Sequence, residues 1–436
     1  MKKSAYNIWI NDDSNDSLLL YNTLYGSLSS WDITSAELVR KIFENPEYKD
    51  ESVMQIYSAL CEQNNLVADH IDEFEIIRNR KIEGVKDRNR LDVVIMPTLN
   101  CNFSCVYCFE KPRISSMSAE MVSATDTFVE NMIPDFKLLV LHWYGGEPLL
   151  ESDVVINLTK RISRVARKHN VFTVTHITTN GYCIDQIVAD NLFTCGITEF
   201  QITVDGSQYF HDRLRLLKGG GDTFNRITEN ICMLAALDAS VKITLRVNFN
   251  AENITSIPEL LESFPRQIRL QLRVMFVPIF GKCSSSMEED LPSEKAADLT
   301  CEYYSLAAEH GYDVSLAAAG LRSGRLNYCY AERENQYIIN YNGDVFKCSA
   351  DTFQSENRFG WINSEGSFIK DEKKWENWLN AARNFPERCL SCVYLPTCMG
   401  GCRKADANSK SKTRHCRNVA DKLSVFLRKA EQFSVV

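Results

Sequence analysis

Cys101, Cys105 and Cys108 stand in the run LNCNFSCVYCFE with the spacing CxxxCxxC. Three thiolates on one tight loop suit a [4Fe–4S] cube, because they hold three of its irons and leave the fourth open to another ligand. Structural zinc is the competing use, but it needs a fourth Cys or His, and none lies close in sequence. A second group occupies the last part of the chain. Cys329 and Cys348 flank Gly343; Cys389, Cys392, Cys398 and Cys402 follow with the spacing CxxCxxxxxCxxxC, and then Cys416. CxxC followed by further cysteine is compatible with a zinc ribbon, yet seven thiols exceed one tetrahedral site. They nearly fill two cubes.

These ten belong to a total of 16 cysteines in 436 residues. No export signal is expected: Met1, Lys2 and Lys3 mimic a basic n-region, but Asn11, Asp12, Asp13, Asn15 and Asp16 arrive before any useful apolar stretch. No uncharged apolar run approaches the ~18 residues of a membrane span. The expected compartment is a reducing cytoplasm, where clustered cysteines more often bind metal than pair with one another. Lys plus Arg number 49 against 57 Asp plus Glu, a net charge of −8, which argues against a nucleic-acid partner. With 44% hydrophobic and 24% charged residues, the chain is not compositionally disordered.

The cysteines need elements to position them. Residues 1–88 read as short strands over Tyr6 to Ile10, Ser17 to Leu24 and Ser27 to Trp31, then helices over Ser35 to Phe43 and Glu51 to Gln63. Thr34 with Glu37 reads as a capping box, with Asp32 beside it. The order suggests a small winged-helix-like β/α module, and the charged stretch Arg78 to Arg90 a linker. Residues 89–320 carry apolar strands over Leu91 to Met96, Leu138 to Trp143, Phe172 to Thr178, Phe200 to Val204, Val241 to Val247 and Leu270 to Val277. Crossover-length segments separate them, as in a parallel α/β unit, open or barrel-like. Ligand chemistry in such folds sits at the strand C-terminal ends. Residues 321–436 read as an irregular segment rich in turns and cysteine, ordered in part by metal.

The strand ends hold the other unusual residues. The second ends in Trp143, Tyr144, Gly145, Gly146, Glu147 and Pro148, where glycine permits close backbone approach to a ligand and the carboxylate offers an acceptor for an ammonium. The third ends in Thr178, Thr179, Asn180 and Gly181. The fourth ends in Thr203, Val204, Asp205 and Gly206, with His211, Asp212 and Arg215 beyond. Asn180-Gly181 and Asp205-Gly206 also suit simple turns. Arg246 and Asn248 on the fifth strand and Val277 on the sixth are weaker candidates.

CxxxCxxC with Tyr107 before its last cysteine, followed at the next strand end by Gly145-Gly146-Glu147-Pro148, resembles the radical S-adenosylmethionine (SAM) enzymes. The seven later cysteines resemble the SPASM motif of members that act on peptides and proteins. The resemblance implies a partial (β/α)6 TIM-like barrel and three [4Fe–4S] clusters. One, on Cys101, Cys105 and Cys108, would bind SAM and release a 5′-deoxyadenosyl radical from it. Cys329, Cys348 and Cys402 would bind a first auxiliary cluster, completed by Cys283 or Cys301 or left open; Cys389, Cys392, Cys398 and Cys416 would bind a second. Tyr107, Gly145, Gly146, Glu147, Asn180, Thr203, Arg215 and Val277 would contact SAM. No catalytic residue is assigned.

The function so implied is a maturase that installs a thioether or carbon–carbon cross-link in a ribosomally made precursor peptide. Its leader would bind the N-terminal module as an added strand near Ser27 to Trp31, and an external donor such as flavodoxin or ferredoxin would supply electrons. The same-fold alternative is a formylglycine-generating sulfatase-maturating enzyme, which places Asp directly after the cysteine corresponding to Cys348; here Ser349 and Ala350 intervene before Asp351. From another class, an iron–sulfur electron carrier or a zinc scaffold would need the cysteines but not the strand-end residues.

Overall fold

Apolar runs punctuated by capping residues set the elements, which a computed structural model describes for residues 1–12, 16–48, 53–110, 113–279, 293–317, 324–403 and 409–428. The first third holds β1 (Lys2–Lys3), β2 (Asn7–Asp12), β3 (Ser17–Asn22), β4 (Leu28–Asp32), α1 (Ile33–Glu44), α2 (Met54–Glu62), β5 (Leu66–Val67) and α3 (Glu73–Lys86). β2, β3 and β4 form an antiparallel sheet in sequence order, and β5 pairs with β1. Leu20, Val39, Ile42, Phe43, Leu60 and Leu66 form its own small core.

Two details differ from the sequence reading. The N-cap of α1 is Asp32, not Thr34: its carboxylate accepts the Ser35 N–H at 2.9 Å and the Ser35 hydroxyl at 2.7 Å. The Asp32 carboxylate reaches the third N–H, so the helix starts one residue before Thr34. The stretch expected as a linker is mostly α3, capped by Asp72. Its inner face runs through Ile77, Lys81, Gly84 and Val85, a helical stripe disguised by a buried lysine and a glycine. Gly84 is required there, since a Cβ would stand 2.6 Å from Leu326.

Next come β6 (Arg90–Ile95), α4 (Ala119–Met132), β7 (Leu138–Trp143), α5 (Ser152–Lys168), β8 (Phe172–Thr179), α6 (Gln186–Cys195), β9 (Glu199–Thr203), α7 (Gln208–Leu214), α8 (Phe224–Leu237), β10 (Lys242–Phe249), α9 (Ile257–Glu262), β11 (Leu272–Pro278) and α10 (Ser293–Glu309). β6 to β11 lie side by side in sequence order, all parallel. Alternation decides what each strand presents. On β7, Leu139, Leu141 and Trp143 are wholly buried, with the Trp143 indole donating to Thr159 of α5 at 2.8 Å; Val140, His142 and Tyr144 take the other face.

The rest is more regular than expected: β12 (Gln336–Ile339), β13 (Asp344–Phe346), β14 (Gly360–Ile362), β15 (Phe368–Lys370), α11 (Glu372–Arg383), α12 (Leu395–Cys398) and α13 (Ser409–Arg428). β12 pairs in parallel with β6, and β13, β14 and β15 continue the sheet antiparallel, giving ten strands. The edge of β6 is therefore taken by β12, and β6 to β11 form an open array. Strands of three or four residues are too short to show alternation in sequence, which is why they read as turns. Aromatic packing of Tyr337, Phe368 and Trp375 holds them, with Tyr337 stacked on Trp375 at 5.5 Å.

Candidate active site

The cysteine loop leaves the C-terminal end of β6. Cys101 and Cys105 are half-buried and Cys108 is exposed. The Phe103 N–H donates to Cys101 Sγ at 3.3 Å, and the Cys108 N–H to Cys105 O at 3.1 Å, which winds the loop tightly. Burial pushes the thiols up, Cys101 to about 12 and Cys108 to about 11. Ionised sulfur therefore needs a positive neighbour to be stable here, which iron would be.

Gly145 and Gly146 hold that loop. Gly145 has φ +121°, and a Cβ there would collide with Thr98 O; a Cβ on Gly146 would stand 2.6 Å from Leu99 O and closer still to Asn100 O. The Gly146 N–H donates to Thr98 O at 3.2 Å and the Glu147 N–H to Asn100 O at 2.8 Å. In this structure the glycines admit the backbone of the cysteine loop.

Glu147 is wholly buried and fully engaged. Oε1 accepts from Thr179 Oγ1 at 2.7 Å and Leu149 N–H at 3.0 Å, and Oε2 accepts from Asn180 N–H at 2.7 Å. Burial raises its pKa, opposed by these donors. Its carboxylate thus joins the ends of β7 and β8. Asn180 reaches back, donating from Nδ2 to Asn102 Oδ1 at 2.7 Å, and Asn102 donates to Cys183 Sγ at 3.6 Å.

Tyr107 anchors the far side of the loop. Its hydroxyl donates to Asp205 Oδ2 and accepts from Arg215 Nη1 at 2.7 Å and Asn248 Nδ2 at 3.3 Å. Arg215 pairs with Asp205 at 3.7 Å, and the Asn248 N–H donates to Asp205 Oδ1 at 2.9 Å. Burial alone would lower Arg215, but Tyr107, Cys105 and Asp205 hold it charged. Its Nε is buried with no hydrogen-bond partner among the described residues. Thr203 is buried on β9 opposite Arg246, and Val277 is half-buried on β11 opposite Asn248.

Both later cysteine sets are drawn together by chain folding. The charges of Cys348 and Cys402 raise the Cys329 thiol, after burial and Glu332. Those of Cys416, Cys389 and Cys392 raise Cys398, after burial. Cys301 instead lies in the main core on α10 with Lys422 as its charged neighbour, and Cys283 falls outside the described residues. Among the described residues no three His, Cys, Asp or Glu side chains converge tightly enough to hold a single metal ion.

Several participants escaped the sequence reading. Asp205, named at a strand end that also suits a simple turn and given no contact, is the anionic centre of the Tyr107, Arg215 and Asn248 cluster. His142 and His176 lie with ring centroids 4.1 Å apart and planes tilted by 38°, and His142 Nε2 meets Thr178 Oγ1 at 2.9 Å. Tyr144 packs edge-on against His142 and bonds Glu110. Spacing by two residues along β7 would have found this polar face.

The residues fit an iron–sulfur cube with a polar, anionic ligand beside it: three partly open thiols, and an enclosed guanidinium with an unused N–H close to Cys105. Residues 95–264 match the Radical SAM superfamily, so the chain carries the domain of that class of enzymes. It is similar to Fe-coproporphyrin III synthase of Methanosarcina barkeri, 26% identical over 50% of this chain, spanning about half (53%) of that relative's length. PqqA peptide cyclase of Gluconobacter oxydans is 23% identical, over 70% of this chain and 83% of the cyclase. The cysteine-type anaerobic sulfatase-maturating enzyme of Clostridium novyi is 24% identical, over 72% and 88%. Among solved structures, native anSMEcpe with bound AdoMet and Cp18Cys peptide shares the fold over 80% of this chain and 100% of its own, at 17% identity and TM-score 0.61. Streptococcus suis SuiB bound to precursor peptide SuiA does so over 94% and 97%, at 16% identity and TM-score 0.53.

Proposed function

We propose that this enzyme is a maturase that installs a thioether or carbon–carbon cross-link in a ribosomally made precursor peptide. The observation that carries the reading is the contact between the first third and the later cysteines: Tyr6, Leu24 and Ile77 share one core with Cys389, Leu395 and Met399. A peptide held by the first module would thus be delivered beside the cysteine-rich segment. The names of relatives agree in kind, since one is a peptide cyclase and SuiB is seen with a precursor peptide.

In this reading residues 1–88 bind a leader, with β4 taking it as an added strand. Residues 89–320 carry the radical chemistry and residues 321–436 form a SPASM domain. Cys101, Cys105 and Cys108 hold the SAM-binding cluster. Cys329, Cys348 and Cys402 hold one auxiliary cluster, and Cys389, Cys392, Cys398 and Cys416 the other. When bound, the first cluster and SAM supply a carbon radical able to take hydrogen from the peptide. Arg215 offers its unused N–H to the polar end of SAM, while Glu147 and the glycines keep the cysteine loop in register with β7 and β8. An external flavodoxin or ferredoxin supplies electrons, and the setting is cytoplasmic.

A second reading, formylglycine formation, is favoured by the long match to the sulfatase-maturating enzyme. Against it, Asp351 Oδ1 is taken by Thr352 N–H at 2.7 Å and Asn357 Nδ2 at 3.0 Å. Anaerobic coexpression with a short peptide encoded beside the gene separates them by mass spectrometry. A loss of two hydrogens with intact backbone supports the cross-link; a Cys-to-formylglycine change moves the assignment to the second reading. A protein that holds iron but never cleaves SAM under reduction rejects both.

A further inference from the structure

Lys81 is wholly buried, although it lies on α3 in the first third of the chain. Its ammonium donates to Glu332 Oε1 at 3.0 Å and to Met399 O at 2.9 Å, and stands 5.1 Å from the centre of the Phe385 ring. Glu332 is wholly buried as well. It also accepts from Arg403 Nε at 3.1 Å and, on its other oxygen, from the Tyr328 N–H at 2.8 Å.

Every attachment point adjoins a cysteine. Tyr328 precedes Cys329, Met399 follows Cys398, and Arg403 follows Cys402. The Glu332 N–H donates to Cys329 O at 3.2 Å. One lysine from α3 therefore ties together the segments that carry Cys329, Cys398 and Cys402. A buried ion pair is weak evidence for stability, because well-packed apolar groups of similar volume serve as well or better. Burial lowers the Lys81 ammonium from its ordinary value, with Arg403 adding to the fall, while Glu332 and then the Cys329 thiolate pull the other way.

We propose that Lys81 is a positioning residue for the first auxiliary cluster: through Glu332 it fixes the segments bearing Cys329 and Cys402, and its positive charge favours the reduced state of the cluster they hold. The proposal rests on the reading of Cys329, Cys348 and Cys402 as ligands. Its electrostatic part has a definite sign. Reduction adds negative charge, so a cation at short range in a low-dielectric site raises the midpoint potential, and removing it lowers that potential. A purely structural lysine would make no such distinction between charge and shape.

The test uses the full chain carrying Cys101→Ala, Cys105→Ala and Cys108→Ala, so that only the later cysteines can bind clusters. The protein is reconstituted anaerobically with iron and sulfide, the metal is counted, and midpoint potentials are read by titration followed by electron paramagnetic resonance. Lys81→Met removes the charge and keeps most of the length, whereas Lys81→Arg keeps the charge. The expected result is a shift of one midpoint to more negative potential in Lys81→Met, or selective loss of one cluster's iron, with Lys81→Arg close to the parent. If Lys81→Met fails to fold by circular dichroism, Lys81→Gln is read in the same way, since it is neutral and keeps a polar group in the site. Iron retained with unchanged midpoints in the neutral variant, or an equal shift in the neutral and arginine variants, overturns the proposal alone. A parent that retains no iron overturns the ligand reading and this proposal with it.

Discussion

Glu147 Oε2 accepts the Asn180 backbone N–H at 2.7 Å, so a single carboxylate locks the end of β7 to the end of β8. Three donors converge on this side chain, and among the described residues none has a second acceptor. Glu147→Gln presents an amide N–H to one of them and leaves a buried donor unsatisfied, at a cost of about 1–3 kcal/mol. The expected outcome is a lower urea midpoint of the anaerobic protein and SAM cleavage reduced by about tenfold or more, with most of the iron retained. Iron loss equal to that of Cys105→Ala would instead show that the carboxylate is needed to form the loop at all.

Gly146 is a sharper case, because the obstacle is backbone. An added methyl would press on Leu99 O and Asn100 O, which cannot move without shifting Cys101. Gly146→Ala is expected to lose most of the iron held by the first cysteine loop and all SAM cleavage. Gly196→Ala is the control: its φ of +102°, unlike the backbone of Gly146, is strained for any side chain, yet a Cβ there meets nothing within 4 Å. Similar iron content in the two variants would contradict the packing argument.

Tyr107→Phe removes one hydroxyl that serves Asp205, Arg215 and Asn248 together. Asp205 and Arg215 keep their ion pair, so the fold survives with a loss of about 1–3 kcal/mol. Arg215 becomes less well fixed, and a misplacement worth ~1.4 kcal/mol lowers the rate about tenfold. A variant with normal iron, normal SAM cleavage and normal stability would remove Tyr107 from the site.

What could be read in advance follows physical lines. The six parallel strands were legible within two residues at most ends, because strands such as β6 are buried on both faces and write themselves as apolar runs. The CxxxCxxC loop and Gly145-Gly146-Glu147 stood out by residue type, but not their relation: only the fold reveals that the glycines receive the cysteine loop and that Glu147 is internally satisfied. Asp205 was named at a strand end, but its turn-like Asp-Gly pair gave no hint of its partners, and α3 was hidden by the buried charge of Lys81. β12 joins β6 across more than two hundred residues of sequence, a pairing that no local pattern encodes.

His142 and His176 supply the pH-dependent test. Burial holds His142 well below its usual range, helped by His176; it lowers His176 to about 4, with Asp92 pulling the other way and Arg90 adding to the fall. In the unfolded chain both titrate near ~6.5, so between about pH 4 and 6.5 the unfolded state binds more protons than the folded one. Their contribution to stability is therefore complete above pH 6.5 and is lost as pH falls toward 4; for His176 it is on the order of 3 kcal/mol. Glu110, raised by burial to about 7, and Asp126, raised to about 6, give the opposite slope over the same range. The informative quantity is thus the difference between parent and His176→Gln in urea unfolding from pH 4.5 to 7. The gap in stability is expected to narrow steadily on acidification, because the variant has no imidazole to protonate at that position. A gap that stays constant with pH would mean that His176 is not held neutral by the fold.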